Sequence, residues 1–212
     1  SSLYSYPRFT WQTVIPDQRR ISKIDLSDDY LQAIRLYASC ADELKSSELY
    51  RNDLIEFVSY YVAAKAENFY KQALKDDSEN RVLAAQRNLQ QTVDLLMDVD
   101  KLLASHPLYR LEEWVELARN SGTTLQEKDA YEANAKRLIT SWGGIQEDYA
   151  ARFWSGLIKD YYIPRIQLYF TKGRNKIREW EEQWITSPWS NSTTPFDDPV
   201  EAALSLIEKT NK

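Results

Sequence analysis

Residues 141–165 read SWGGIQEDYAARFWSGLIKDYYIPR and contain six aromatic side chains and three of the chain's 5 glycines. If this stretch is helical beyond the glycine pair, its apolar positions cover roughly 220° of the helix surface, and only a narrow polar strip from Asp148 to Lys159 faces water. Such a wide apolar arc is typical of a helix at the centre of a bundle. The stretch therefore predicts a buried central helix that continues through Pro164 with a kink or restarts there.

The composition of the whole chain favours an all-α fold. With 212 residues and a hydrophobic fraction of 43%, the chain is long enough to bury a sizeable core. Glycine occurs 5 times and proline 7 times, so the turns that an all-β fold requires are scarce. We expect an irregular helical bundle of about six to eight helices. Residues 1–25 are expected to form an extended lead-in, and residues 26–212 a single all-α domain.

Charge and composition argue against several classes of function. The net charge of -5 provides no basic surface for nucleic acid, and no run of about 18 apolar residues is present to cross a membrane. The single cysteine, Cys40, and the single histidine, His106, cannot form a zinc site of the usual ligands. We therefore predict no metal site and no cofactor. His106 precedes a proline in a helix break, where a loop hydrogen bond is expected rather than general-base catalysis.

Residues typical of helix N-termini predict where the other helices begin. A Ser, Thr or Asp side chain at such a position can accept a hydrogen bond from an unpaired backbone N–H, and a Glu three residues later completes a capping box. Four such starts are predicted, at Ser27, at Asp53 with Glu56, at Thr124 with Glu127, and at Asp198 followed by Pro199.

Acidic residues of the central stretch have structural and catalytic interpretations. Asp160 falls within the apolar arc, where an ionised carboxylate needs a partner, and Arg165 is the nearest obvious one. We predict a structural ion pair between them. Glycoside hydrolysis needs two carboxylates at a set spacing, and the candidates in this region are Glu132, Glu147, Asp148 and Asp160. The sequence does not place two of them across a sugar, so we assign no catalytic residue to this chain.

Trp142 and Tyr149 flank the turn at Gly143 and Gly144, where a side chain can extend out of the bundle. An aromatic ring in this position can stack on the apolar face of a sugar, and a tyrosine hydroxyl can bond a ring substituent. The same rings can instead cover the core at a helix end. The residues alone leave both interpretations open.

The same region resembles the C-terminal helical domain of the α-N-acetylglucosaminidases, glycoside hydrolase family 89. The segments AYEANAKRLITSWG at 130–143 and DYAARFWSGLIKDYYIPR at 148–165 carry the resemblance, which extends over about residues 50–170. The positions that match the family pattern are Tyr131, Glu132, Asn134, Thr140, Trp142, Gly143, Asp148, Tyr149, Ala150, Gly156, Leu157, Tyr161, Tyr162 and Arg165. Ile166 replaces a tryptophan that is usual after the arginine, and the turn after Trp142 is shorter than in the animal enzyme.

The resemblance implies an exo-acting, retaining enzyme that removes terminal α-linked N-acetylglucosamine. In this family the catalytic glutamates lie in a (β/α)8 barrel that precedes the helical domain, and such a barrel needs about 250 residues of its own. The resemblance therefore implies that the present chain packs on a separate barrel and supplies one wall of the pocket, with Tyr149 and then Trp142 as the substrate-binding candidates. It also implies a periplasmic, secreted or lysosomal location, and no activity for this chain alone.

Two other functions remain open on the sequence. The abundant aromatic residues could form a groove for a partner helix or peptide, which would make the chain a free-standing interaction module. A small carbohydrate-binding domain would instead bind sugar without any partner. We expect an aromatic face that a barrel normally covers to favour dimerisation when the domain is isolated.

Overall fold

The structure, a computed structural model, describes residues 9–15, 28–142 and 150–210. Within these residues it contains ten α-helices and, apart from one isolated bridge between Arg110 and Ser155, no β-structure. Two of the helices consist of four residues each, so eight are longer than one turn. The all-α fold predicted from the composition is confirmed.

A long antiparallel hairpin of two helices forms the frame of the domain. Helix α4 spans Glu48–Ser78 and helix α5 spans Val82–Leu103, and the side chains between them, such as Leu54, Val62 and Leu96, are fully buried. Each such apolar side chain contributes about 1.5–3 kcal/mol when it leaves water. The predicted start of α4 at Asp53 is wrong, because Ser47 accepts the hydrogen bond from the Tyr50 N–H and starts the helix six residues earlier.

The remaining helices pack around this hairpin. They are α1 (Thr10–Thr13), α2 (Asp28–Ala38), α3 (Ala41–Leu44), α6 (Leu111–Asn120), α7 (Leu125–Leu138), α8 (Ile163–Lys172), α9 (Ile177–Thr186) and α10 (Pro199–Lys209). The capping box of Thr124 and Glu127 and the cap at Asp198 are confirmed. The predicted cap Ser27 lies outside the described residues. The sequence pattern predicts one helix from there to about Lys45, whereas the chain is interrupted at residues 39–40 and forms α2 and α3. None of the helices in the described ranges is both long and apolar enough to cross a membrane.

The chain between residues 150 and 165 differs from the continuous central helix that its apolar pattern predicts. Residues 150–154 are not helical, and a π-helical turn, Ile158–Tyr162, leads into α8. Gly156, with a φ of +82°, separates the two parts. The prediction is therefore wrong for residues 150–156. It is right for the turns that follow, where Tyr161, Tyr162 and Ile166 are fully buried.

Residues 9–15 also differ from the prediction, which places them in an extended lead-in. They form the short helix α1, and Trp11 is fully buried, with its ring stacked on that of Phe9 at 5.0 Å between centroids. The Glu67 carboxylate of α4 accepts hydrogen bonds from the Thr10 backbone N–H at 2.8 Å and from the Thr10 hydroxyl at 2.5 Å. This segment therefore belongs to the core of the helical domain.

Replacing Gly156 by alanine should destabilise the domain by about 1–3 kcal/mol, because an L-residue is strained at a φ of +82°. The new Cβ would also lie 3.0 Å from Cζ2 of Trp189 and 3.2 Å from Cβ of Leu111. Gly173→Ala is the matched control, since Gly173 has a φ of +74° but no atom within 4 Å of such a Cβ. Urea unfolding should show a larger loss for Gly156→Ala. Equal losses would mean that the Trp189 ring moves aside without cost.

Candidate functional site

The candidate site lies at the C-terminal end of α7. Trp142 is the last described residue after this helix, and the described chain resumes at Ala150. Tyr149, the first substrate-binding candidate, lies outside the described residues, as do Glu147 and Asp148. The geometry of the site is therefore built from the two chain segments that flank residues 143–149.

Trp142 adopts a conformation that is uncommon for a bulky residue. Its φ of 52° lies in the left-handed region, and its backbone N–H donates to the Arg137 carbonyl at 2.9 Å, which closes the C-terminal turn of α7. The Thr140 hydroxyl donates to the Lys136 carbonyl at 2.7 Å in the same turn. The Trp142 side chain is 37% exposed. An exposed indole at a fixed helix end can present its face to a ring of a ligand.

Helix α7 is held in place by a buried ion pair. Lys136 and Glu132 are 1% and 2% exposed, and their charged groups lie 3.1 Å apart. The Lys136 ammonium also donates to the Trp184 carbonyl at 2.9 Å and to the Ser187 carbonyl. Burial lowers the pKa of Lys136, although the Glu132 carboxylate opposes this shift. The other Glu132 oxygen accepts from Arg119 of α6 at 2.6 Å, so this carboxylate joins α6, α7 and the end of α9.

Trp189 connects two of the carboxylates that were considered for glycoside hydrolysis. Its backbone N–H donates to Glu132 at 2.6 Å, and its indole Nε1–H donates to Asp160 at 2.9 Å. Burial raises the pKa of Asp160, and the Trp189 hydrogen bond opposes this shift. Both carboxylates thus stabilise the segment after α9, which is a structural role.

Asp160 and Arg165 do not form the ion pair that the sequence predicts, because each has a different partner. The Arg165 Nε lies 2.6 Å from a Glu181 carboxylate oxygen, and Glu181 also accepts from the Tyr161 hydroxyl at 2.9 Å. Asp160 lies in the π-helical turn, where it binds the Trp189 indole, whereas Arg165 lies in α8. The predicted pair is corrected to Arg165 with Glu181 of α9.

The chain after the candidate site is fixed by Asp100 of α5, which is fully buried. One Asp100 oxygen accepts from the Gly156 N–H at 2.8 Å and from the Lys159 N–H at 3.1 Å. The other accepts from the Thr193 hydroxyl at 2.5 Å and from the Ser155 hydroxyl at 3.3 Å. Burial raises the pKa of Asp100, while these hydrogen bonds oppose the shift. Asp100 therefore supplies the acceptors that backbone N–H groups need at a buried helix start.

His106 makes the loop hydrogen bond that its position predicts. Its Nδ1 accepts from the Leu108 N–H at 3.0 Å, and burial lowers the pKa of the imidazole. The residue lines a shallow cleft of about 260 Å³ together with polar residues such as Arg51 and Arg110. Among the described residues, no three His, Cys, Asp or Glu side chains are close enough to hold a metal ion.

Sequence reasoning missed Asp100, Trp189 and Glu181, which organise the surroundings of the site. Asp100 lies on the buried face of α5, so an acidic residue among Leu96, Val99 and Leu103 was the available signal. Trp189 stands in an irregular polar segment, for which no periodicity predicts a contact. Its partners became visible only in the folded chain.

Replacing Glu132 by glutamine should lower the free energy of unfolding by about 3–5 kcal/mol, because it leaves the buried Lys136 without its anion. The matched control is Glu182→Gln, which breaks an exposed pair with Arg137 and should cost less than about 1 kcal/mol. Urea unfolding at neutral pH measures both. If both variants lose a similarly small free energy of unfolding, the hydrogen bonds to the Trp184 and Ser187 carbonyls are sufficient to stabilise the buried Lys136 ammonium.

Asp160→Asn should make stability less dependent on pH. The pKa of Asp160 is raised above its ordinary 3.8, so its stabilising contribution is complete below that pH and is lost as the pH rises through the raised value. The amide keeps an acceptor for the Trp189 indole and carries no charge. The variant should therefore gain stability over the native chain at pH 7, and this gain should vanish towards pH 4.

Asp76→Asn provides a control of opposite sign for this experiment. The Arg81 hydrogen bond lowers the pKa of Asp76, so the stability that this carboxylate contributes is present at neutral pH and is lost as the pH falls through the lowered value. This variant should be less stable than the native chain at pH 7. Urea unfolding between about pH 2 and pH 7 measures both variants, because Asp76 titrates only below 3.8. A pH-independent effect of Asp160→Asn would contradict the first expectation.

Comparison with known proteins identifies relatives of this domain. Residues 4–209 match the family model of the alpha-N-acetylglucosaminidase (NAGLU) C-terminal domain. Over 144 residues the chain is 31% identical to alpha-N-acetylglucosaminidase from Homo sapiens, an alignment that covers 66% of this chain and 19% of the human protein.

The fold is similar to that of solved bacterial structures. A family 89 glycoside hydrolase from Clostridium perfringens in complex with PUGNAc matches 98% of this chain and 26% of its own, with a TM-score of 0.75 and 20% identity. A substituted variant from the same organism, in complex with its substrate GlcNAc-alpha-1,4-galactose, matches 89% of this chain and 24% of its own, with a TM-score of 0.71 and 21% identity. The chain therefore spans about a quarter of these structures and a fifth of the human relative. On the match of the family model over nearly its whole length, this chain belongs to the C-terminal domain family of the alpha-N-acetylglucosaminidases of glycoside hydrolase family 89.

Proposed function

We propose that this chain is the C-terminal helical domain of an exo-acting, retaining α-N-acetylglucosaminidase. In this proposal it packs on a catalytic barrel and forms one wall of the pocket for terminal α-linked N-acetylglucosamine. The family membership supports the enzyme class, and the small share of each relative that the chain covers leaves room for a separate catalytic domain.

The observation that carries the pocket-wall proposal is the placement of Trp142. Its main chain is held by Arg137 at the end of α7, and its side chain remains 37% exposed. In a bundle where Trp11 is fully buried, a large and partly exposed ring at a helix end is suited to contact a ligand or another domain. Tyr149, which lies outside the described residues, is the proposed residue that bonds a sugar substituent.

The environment of the acidic side chains supports a catalytic centre on another domain. A retaining mechanism needs two carboxyl groups about 5–5.5 Å apart across one glycosidic bond. Glu132 binds Arg119, Lys136 and the Trp189 main chain, and Asp160 binds the Trp189 indole. Because protein donors occupy these two carboxylates, we propose that this chain alone is inactive.

The two candidate functions assign different partners to the surface of this chain. A catalytic barrel is the partner in the main proposal, and the alternative is a free-standing helical interaction module. The isolated chain is expected to dimerise in the first case, which sedimentation can measure.

The test is hydrolysis of an aryl α-N-acetylglucosaminide by the full-length protein that contains this chain. Tyr149→Phe and Tyr149→Ala should each lower kcat/KM by tenfold or more, which corresponds to about 1.4 kcal/mol of lost transition-state stabilisation. Trp142→Ala should lower it in the same direction through lost stacking.

Phe57→Ala is the matched control for Trp142→Ala, because Phe57 is 39% exposed on α4 and is assigned no role in the site. Its kcat/KM should stay within twofold of the native value. An active full-length protein with unimpaired Tyr149 and Trp142 variants would remove the pocket-wall proposal and keep the family. An inactive full-length protein would favour the interaction module.

A further inference from the structure

We propose that the cleft lined by His106 is a second ligand site, which binds one ring of a neutral sugar. Its walls come from the first two turns of α4, the chain that follows α5 and the start of α10. Trp142 is not among the lining residues. The inference therefore goes beyond the proposed function and can be tested separately from it.

One face of α4 forms the first wall of the cleft. Glu48, Arg51, Asn52 and Ile55 line it, and their spacing places them on the same side of the helix. Ile55 is 1% exposed, whereas the three polar side chains nearer the start of the helix are more accessible. The wall therefore combines polar groups with an apolar base.

The two charged side chains of this wall do not pair with each other. Arg51 donates from Nη1 to the Lys45 carbonyl at 2.9 Å and forms no ion pair within the described residues. Glu48, three positions earlier, has no ion pair in the described part of the chain either. Opposite charges at this spacing on a helix commonly attract each other. A guanidinium and a carboxylate are thus both available to a ligand.

The opposite wall, after α5, adds hydrogen-bonding groups without adding a free charge. The Ser105 hydroxyl oxygen is buried and has no hydrogen-bond partner, so it can turn towards a ligand without losing a bond. His106 accepts from the Leu108 N–H through Nδ1, which leaves the ring hydrogen on Nε2 for donation. Arg110 is paired with Glu112 at 2.6 Å.

This balance of charges indicates the class of ligand. An oxyanion would be repelled by Glu48, and a cation would be repelled by Arg51. A sugar hydroxyl both donates and accepts hydrogen bonds, so a neutral sugar can bind the guanidinium and the carboxylate together. A ligand of this class uses both side chains without leaving either charge opposed.

The size and the apolar surface of the cleft agree with a single sugar ring. The volume of about 260 Å³ lies just below the roughly 300–1,000 Å³ of sites for drug-sized ligands. Apolar surface for the C–H groups of a ring is supplied by Ile55, Ala104, Pro107 and Pro199. We therefore expect one ring in the cleft and any further sugar units outside it.

The experiment measures amide hydrogen exchange in the full-length protein that contains this chain, with and without a neutral sugar. The probes are methyl β-D-galactopyranoside and methyl β-D-glucopyranoside, which lack the N-acetyl group of the ligand in the proposed catalytic pocket. At least one of them should slow exchange at residues 104–110 and saturate at concentrations on the order of millimolar, because a bound ligand opposes local opening.

Substitutions in the cleft test the assigned contacts. Arg51→Gln and Glu48→Gln should each weaken sugar binding by about fivefold or more, because each removes a hydrogen bond to a charged group. Arg87→Gln is the matched control, since Arg87 is exposed on α5 and does not line the cleft. Its affinity for the sugar should stay within twofold of the native value.

Sodium sulfate distinguishes a sugar site from an oxyanion site. If sulfate slows exchange at residues 104–110 while neither sugar does, and Glu48→Gln tightens sulfate binding, the cleft is an anion site and the proposal is wrong. The proposal also fails if neither sugar slows exchange, or if Arg87→Gln weakens binding as much as Arg51→Gln.

Hydrolysis of an aryl α-N-acetylglucosaminide keeps this inference separate from the proposed function. Arg51→Gln should leave kcat/KM within twofold, because the cleft is distinct from the pocket wall assigned to Trp142 and Tyr149. A loss of hydrolysis equal to that of the Tyr149 variants would contradict a second, independent site. Unimpaired Tyr149 variants would remove the pocket wall and leave the sugar cleft as it stands.

Discussion

The fold depends on one buried carboxylate, that of Asp100. The helical chain from Gly156 onward starts inside the protein, where an N–H group without a partner in the preceding chain cannot bind water instead. Asp100 accepts from two of these groups, at Gly156 and Lys159, and from the Thr193 hydroxyl of the segment after α9. The raised pKa of Asp100 shows that burial opposes its ionisation, yet the side chain joins three parts of the fold.

The same arrangement recurs at other irregular segments. Glu67 accepts a hydrogen bond from the Thr10 N–H of α1, and Glu132 accepts one from the Trp189 N–H. Glu181 pairs with Arg165 and accepts a hydrogen bond from the Tyr161 hydroxyl. A chain with only 5 glycines has few close backbone turns available. Instead, buried Asp and Glu side chains accept hydrogen bonds from segments that lie outside their own helices. Glu67, Asp100, Glu132 and Glu181 therefore hold irregular segments of the chain in place.

Local signals in the sequence were sufficient for the helices that begin with good caps or carry a narrow apolar stripe. The capping box at Thr124 and the cap at Asp198 depend on neighbours within four residues, so they could be read directly. The non-helical conformation of residues 150–156 could not be predicted in this way, because a wide apolar arc is found in any buried segment, whether or not it is helical. The burial of Trp11 and the partner of Arg165 depend on residues more than ten positions away, for which periodicity has no signal.

Some of the residues shared with the family pattern have a clear structural role in the folded chain. Glu132, Arg165 and Gly156 are engaged in buried ion pairs or a close backbone contact, so their presence is explained without a ligand. Trp142 differs from these residues, because it is 37% exposed and its backbone lies in the left-handed region at the end of α7. Binding residues are commonly found on segments that a rigid scaffold positions, and α7 and the chain from Gly156 onward are both fixed by buried contacts. The proposed function is therefore to be tested by substitutions at Trp142 and Tyr149.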